Sequence, residues 1–287
     1  MEENQGKGVY FVDYKKLLTV QDISCLGQCS LTVALPIISA CGVETCVLPS
    51  AVLSTHTGGF TGYTFRDLTE DMPGICQHWQ KEGICFDAIY TGYLGSTRLI
   101  DHVQQLFANL GKENCLKVVD PAMADAGKLY AGFDMEFVEA MKTLCRQADY
   151  VLPNLTEACL LTGVEYRAEY DRAYMDLLLE KLTALGCKNV VFTGVSYEPG
   201  MTGIVVLEKG QYHYYAHERL PVFCHGTGDV YASAFVGSLL RGKRAFEAAR
   251  IAGDFTLACI RETAKYENHW YGVAFEPVLG KLIGMLE

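Results

Sequence analysis

His225-Gly226-Thr227-Gly228-Asp229, followed by VYASAFVGSLLRG to Gly242, is the stretch on which the reading of this chain turns. Val230, Ala234, Phe235 and Leu239 recur at helical spacing and Gly242 supplies a stop, so the glycines open a helix. Such an opening binds anions. Residues without side chains let backbone N–H groups approach a ligand, and the unsatisfied amides of the first turn add the positive end of the helix dipole. A carboxylate placed there does not hold the anion, but it can accept a proton from an attacking hydroxyl. Asp229 is thus a candidate general base, beside a candidate anion hole at Gly226, Thr227 and Gly228. Taken alone, the string also fits a helix simply capped by Thr227 or Asp229 after a glycine turn.

Outward from this point, short β-rich apolar runs alternate with longer segments of helical period, the pattern of a mostly parallel sheet covered by helices. Strands are expected over 17–21, 44–49, 88–92, 116–120, 150–152 and 189–193, and helices over 31–40, 67–82, 96–110, 134–146 and 170–185. The runs 203–207 and 211–217 flank a Glu-Lys-Gly turn and predict a hairpin, after which the chain becomes helical. The stretch 51–65, AVLSTHTGGFTGYTF, predicts a loop or short strands projecting from the sheet. With no repeat and no flexible linker, the expected fold class is α/β: a single domain over 17–287, its central sheet flanked by helices on both faces. Residues 1–16 form an N-terminal extension. In such a sheet, ligands bind outside the carboxyl ends of the strands. Polar residues fall there after successive strands: Asp22 and Ser24, Thr91 to Tyr93, Asp120, Asn154 with Glu157, and Thr193.

The 287 residues carry 24 Lys and Arg against 34 Asp and Glu, a net charge of −10. That balance argues against nucleic acid or an anionic membrane as partner, because both need clustered cations. Any polyphosphate ligand must then be held locally by amides, helix ends or a metal ion. No run reaches the length of a membrane span, and the first residues do not read as a signal peptide, so a cytoplasmic protein is expected. The twelve cysteines are scattered through apolar segments without a C-x-x-C, and read as small buried hydrophobes rather than a disulfide or zinc framework. Cys224, next to His225, reads as another buried thiol. P-loop, protein-kinase and dinucleotide-binding signatures are all missing.

Taken together, QDISCLGQCSLTVALPIISACGVE, LSTHTGG, TGYLGS, VVDPAMAD, LPNLTEACLLTG and HGTGDVYASAFVG resemble the ribokinase-like superfamily, and within it the pyridoxal and pyridoxamine kinases, in order over 17–242. The G-T-G-D element is shared across that superfamily, whereas S-T-H-T and T-G-Y are particular to vitamin B6 kinases. The resemblance implies transfer of the γ-phosphoryl group of MgATP to the 5′-hydroxymethyl group of a B6 vitamer, in a homodimer, with a monovalent cation as a further cofactor. It makes Asp229 the base and the Gly226 to Gly228 amides the anion hole. Asp120 and Asp125 lie near phosphates and metal, Asn154 and Glu157 near the nucleotide phosphates and Mg²⁺, and Thr193 and Thr227 at the nucleotide. Ser54, His56, Thr57 and Tyr93 surround the pyridine ring, and the 128–132 loop closes over the phosphates.

Two departures concern nucleotide and metal contacts: Leu152 replaces a polar residue, and Ala124 a glycine. A third concerns the substrate: Asp22, with Ser24 close by, stands where relatives often have serine, and a carboxylate there favours a cationic ring substituent. The resemblance leaves two rivals: a hydroxymethylpyrimidine kinase of thiamin synthesis, and a non-catalytic B6 or nucleotide sensor.

Overall fold

The computed structural model describes residues 14–222 and 224–287, so most of the expected extension, 1–13, lies outside the described residues. The chain opens with β1 (Lys16–Ser24), α1 (Leu31–Ala40), β2 (Glu44–Leu53), β3 (Phe65–Asp67), α2 (Met72–Lys81), β4 (Phe86–Thr91), α3 (Thr97–Asn109) and β5 (Gly111–Val119). A two-stranded ribbon of β6 (Ala124–Asp125) and β7 (Lys128–Leu129) follows, then α4 (Met135–Cys145), β8 (Tyr150–Val151), α5 (Leu155–Thr162), α6 (Arg172–Leu185) and β9 (Val190–Val195). The hairpin of β10 (Met201–Glu208) and β11 (Gln211–Glu218) leads into α7 (Thr227–Leu240), α8 (Ala245–Thr263) and α9 (Leu279–Leu286).

Nine strands form one sheet in the order β11-β10-β9-β8-β5-β4-β1-β2-β3. The run from β9 to β2 is parallel, and β3, β10 and β11 add antiparallel edges. Because strand side chains alternate between faces, each central strand feeds two cores. Leu18, Ile89, Val119 and Phe192 pack with α3, α4, α5 and α6 on one face. Leu17, Tyr90, Val118 and Val191 pack with α1, α7, α8 and α9 on the other. Helices therefore cover both faces, as expected. Among the described residues no helix is long and apolar enough to cross a membrane.

Several boundaries differ from the sequence reading, each for a local reason. β1 does not stop at Gln21 but continues to Ser24, with a register shift against β2 between Gln21 and Ile23. Asp22 therefore sits in that irregularity and not after the strand, a common way of re-aiming a side chain beside a site. β2 runs through Pro49 to Leu53; β3 pairs only with Ala51–Leu53, so the strand's outer edge is open at the proline. The helix expected from residue 67 begins at Met72, because Asp67 Oδ1 accepts from Thr69 N at 2.7 Å in a tight turn and Pro73 sets the first helical turn. β5 starts at Gly111, five residues earlier than expected.

Candidate active site

At the mouth of the sheet, α7 begins at Gly226, whose φ of 84° lies in the left-handed region. A Cβ there would stand 2.8 Å from the Gln28 carbonyl oxygen, so only glycine lets α7 start this close to the loop after β1. At Gly228, by contrast, a Cβ would meet nothing within 4 Å. The first turn of α7 thus faces open space, with its amides free of side-chain cover.

Asp229, on that turn, accepts a hydrogen bond from Ser30 N at 3.0 Å. Ser30 is the residue before α1 and holds φ 56°, ψ −123°, a conformation rare outside glycine. Its hydroxyl does not cap α1. The strained backbone instead aims one N–H at the Asp229 carboxylate, and sites of function are where such strain persists. Burial pushes the Asp229 carboxyl up to about 6, with the nearby Asp22 charge adding to the rise and the Ser30 amide opposing it. A base with that affinity is ionised at neutral pH and still strong enough to take a hydroxyl proton in a transition state.

Asp22 is buried on the other side of Ser30. Ser24 Oγ donates to Asp22 Oδ2 at 3.2 Å, and the Ser30 hydroxyl also favours the charged form, yet burial still holds this carboxyl above its ordinary value. Tyr93 faces the same carboxyl, and burial, Asp22 and Tyr63 raise its phenol. Tyr93 packs against Phe133 at 5.3 Å, which stacks on Phe137.

His56 accepts from Gly58 N on Nδ1 at 3.0 Å, so its Nε2–H donates to the Tyr271 carbonyl at 2.6 Å. Both ring nitrogens are thus engaged. Its ring edge meets Phe60, and His225 lies tilted at 5.1 Å. Ser54 pins the ends of the same loop, exchanging bonds with Thr64 (Thr64 N to Ser54 Oγ, 2.9 Å; Ser54 N to Thr64 O, 3.1 Å). Thr57 is exposed on the loop's outer part.

A second acidic group faces Asp229 from the β5 side. Asp120 follows β5, its amide bonded to Thr91 O and one carboxylate oxygen accepting from Ala122 N at 3.2 Å. Glu157 and Asn154 form a reciprocal capping box at the start of α5: Glu157 N donates to Asn154 Oδ1 at 3.0 Å and Asn154 N to Glu157 Oε2 at 2.9 Å. The other Glu157 oxygen accepts from Met123 N at 3.1 Å, and Asn154 Nδ2 donates to Ala124 O at 2.8 Å. These bonds clasp α5 to the turn that carries Asp120 and Asp125. Burial raises both carboxyls: Glu157 to about 7, with the Asp125 charge adding and backbone amides opposing, and Asp120 well above its ordinary range, where Glu157 and Asp229 contribute as well. Thr193 is tied to the same region through its amide on Pro153 O at 3.0 Å.

No group of three or more His, Cys, Asp or Glu side chains able to cage a metal occurs among the described residues. Both Glu157 oxygens and one Asp120 oxygen already accept backbone amides. The oxygen-only donor set and the repulsion between buried carboxylates fit a hard cation that brings most of its ligands as phosphate oxygens and water.

Sequence reasoning missed two contributors, Ser30 and the segment 268–272, and named the 128–132 loop without singling out Tyr130. Ser30 carries no local signal, because a left-handed serine is not written in residue type. Tyr130, after the β6–β7 ribbon, is an exposed tyrosine whose amide donates to Met123 O at 2.9 Å and whose phenol is raised by partial desolvation and by the charges of Glu157, Asp125, Asp120 and Asp229. The segment 268–272 returns from α8 to receive His56 and to set Trp270 against Phe60 at 4.7 Å. Cys224 is buried, which raises its thiol, as its reading as an inert residue requires.

A glycine-opened helix with a half-buried carboxylate on its first turn, at the carboxyl ends of a mostly parallel sheet, defines a phosphoryl-transfer class of α/β protein. The sequence profile of the phosphomethylpyrimidine kinase family matches residues 35–274, and the chain belongs to that family, with a ribokinase-like fold. Among its relatives, a crystal structure of pyridoxal kinase from Lactobacillus plantarum is 33% identical, covers 94% of this chain and 97% of its own, and superimposes with a TM-score of 0.87. A protein from Bacteroides thetaiotaomicron assigned as a phosphomethylpyrimidine kinase and crystallised with pyridoxal is 39% identical, with coverages of 94% and 96% and a TM-score of 0.88. The pyridoxal kinase of Dictyostelium discoideum is 26% identical over 243 residues, 79% of this chain and 78% of that protein.

Proposed function

We propose that this chain is an ATP-dependent kinase that phosphorylates the 5′-hydroxymethyl group of a vitamin B6 vitamer in salvage of the vitamin. The observation that carries the reading is Asp229: a half-buried carboxylate held by the Ser30 amide beside open helix-terminal amides. Binding alone has no use for a base there, which disfavours the sensor.

In this reading the vitamer's hydroxyl lies against Asp229, which takes its proton as the oxygen attacks the γ-phosphorus. The Gly226, Thr227 and Gly228 amides receive the charge on the transferred phosphoryl group. Asn154, Glu157 and Thr193 shape the nucleotide phosphate side, and Tyr130 with the β6–β7 ribbon covers it and keeps water from competing as acceptor. Mg²⁺, when bound with ATP near Asp120, Asp125 and Glu157, supplies charge neutralisation at the phosphate oxygens. Ser54, His56, Thr57 and Tyr93 form the ring pocket, with His56 fixing the loop and Tyr93 offering its ring face.

The domain that does this spans 17–287, with 1–16 as an extension. A homodimer in the cytoplasm, with a monovalent cation assisting, completes the reading; twelve free thiols support a reducing compartment. The family profile favours one rival, phosphorylation of hydroxymethylpyrimidine. ADP release measured with pyridoxal, pyridoxamine, pyridoxine, hydroxymethylpyrimidine and ribose separates these. Turnover confined to the pyrimidine would replace the B6 reading, and no turnover with any acceptor would leave a sensor.

A further inference from the structure

Asp22 is 6% exposed, and no lysine or arginine forms an ion pair with it among the described residues. Two serine hydroxyls, a backbone amide and the nearby His56 favour its charged form but do not offset burial, and such a carboxylate is costly unless a cation arrives to meet it. Its position says what that cation is attached to. Ser30 lies between two carboxylates, with its backbone N–H on Asp229 and its hydroxyl toward Asp22, and the Asp22 charge is felt at Asp229. Two groups of one substrate that meet them must therefore be close neighbours on its ring.

We propose that Asp22 is the specificity-determining residue of the acceptor pocket and selects a substrate that carries a protonated amine ortho to the hydroxymethyl group that is phosphorylated. The inference rests on the B6 kinase reading. Within that class, pyridoxamine has this arrangement: its 4-aminomethyl group is a cation at neutral pH and adjoins the 5-hydroxymethyl group. Pyridoxal carries an uncharged aldehyde at the same ring position, and pyridoxine an uncharged alcohol. Tyr93 and the His56 loop bound the pocket, and both His56 nitrogens are already engaged, on Gly58 N and Tyr271 O.

The test compares kcat/KM for pyridoxamine and pyridoxal in wild type, Asp22→Asn and Ser30→Gly, with melting curves to confirm folding. Asp22→Asn keeps the shape and removes the charge, so the pyridoxamine-to-pyridoxal ratio should fall roughly tenfold to a hundredfold, the worth of a charged hydrogen bond. Ser30→Gly keeps the amide on Asp229, relieves the left-handed backbone and removes the hydroxyl; the ratio should shift in the same sense by a smaller factor. Calorimetric binding of each vitamer without nucleotide should show the same loss of discrimination. A ratio unchanged in folded Asp22→Asn, with both vitamers still phosphorylated, overturns the inference and leaves the kinase reading standing. Failure of wild type to phosphorylate either vitamer overturns the reading itself.

Discussion

Replacing Asp229 by asparagine should cut turnover by orders of magnitude and make the protein more stable at neutral pH. Burial raises this carboxyl from 3.8 to about 6 in the folded chain. Between those values the folded state binds more proton than the unfolded one, so stability falls as pH rises through the window and is flat above it. The difference of about 2 units corresponds to at most about 3 kcal/mol at neutral pH, an upper limit because partial access to water screens the charge. Of this, about 1.4 kcal/mol is lost between pH 5 and pH 7.5. Asparagine presents the same oxygen to Ser30 N without the charge, so the variant escapes the loss. Urea denaturation of both proteins at the two pH values isolates the effect, since every other titrating group is common to both. The variant should be favoured by roughly 2 to 3 kcal/mol at pH 7.5 and by about 1.4 kcal/mol less at pH 5. Loss of the base should lower kcat roughly a hundredfold to ten-thousandfold. A variant less stable than wild type at pH 7.5, or a stability gap that does not change with pH, would refute the account of Asp229 as a strained buried charge.

Further consequences are open to simple measurement. With Asp229 as base, kcat/KM should rise with pH through about 6 and level off above it; a profile flat from pH 5 to pH 7 speaks against that assignment. Gly226→Ala places a Cβ 2.8 Å from Gln28 O at positive φ and should lower both the melting temperature and activity. Gly228→Ala meets no protein atom within 4 Å, so it should melt like wild type while the KM for ATP rises. Asn154→Ala removes the cap of α5 and the bond to Ala124 O, which should cost about 1–2 kcal/mol in denaturant unfolding. Chelation of divalent cations should stop turnover and leave the melting curve of the nucleotide-free protein unchanged, because no caged metal supports the fold among the described residues.

The parts of this molecule written in local pattern were legible in the sequence. Alternating apolar runs gave the central strands, and the N-x-x-E spacing of Asn154 and Glu157 forms a capping box at the expected place. Glycines in the G-T-G-D string open α7 as their chemistry requires. What escaped notice depends on partners remote in sequence. The irregularity that keeps Asp22 inside β1 is set by pairing with β2, and the short β3 exists only because β2 offers its edge. Ser30 adopts a glycine-like conformation that no serine advertises. Tyr271 contributes a carbonyl, a group that every residue type shares, so its place opposite His56 could not be inferred from its identity.

The bond from Ser30 to Asp229 joins residues 199 positions apart. Half of the proton-accepting apparatus is therefore made 199 residues before the other half. No truncated or partly synthesised product ending before α7 can carry the base, and during refolding the recovery of turnover must trail the recovery of helix and strand. Long loop closures come late when local contacts form first. The site is thus completed only when the loop before α1 and the start of α7 meet across the mouth of the sheet.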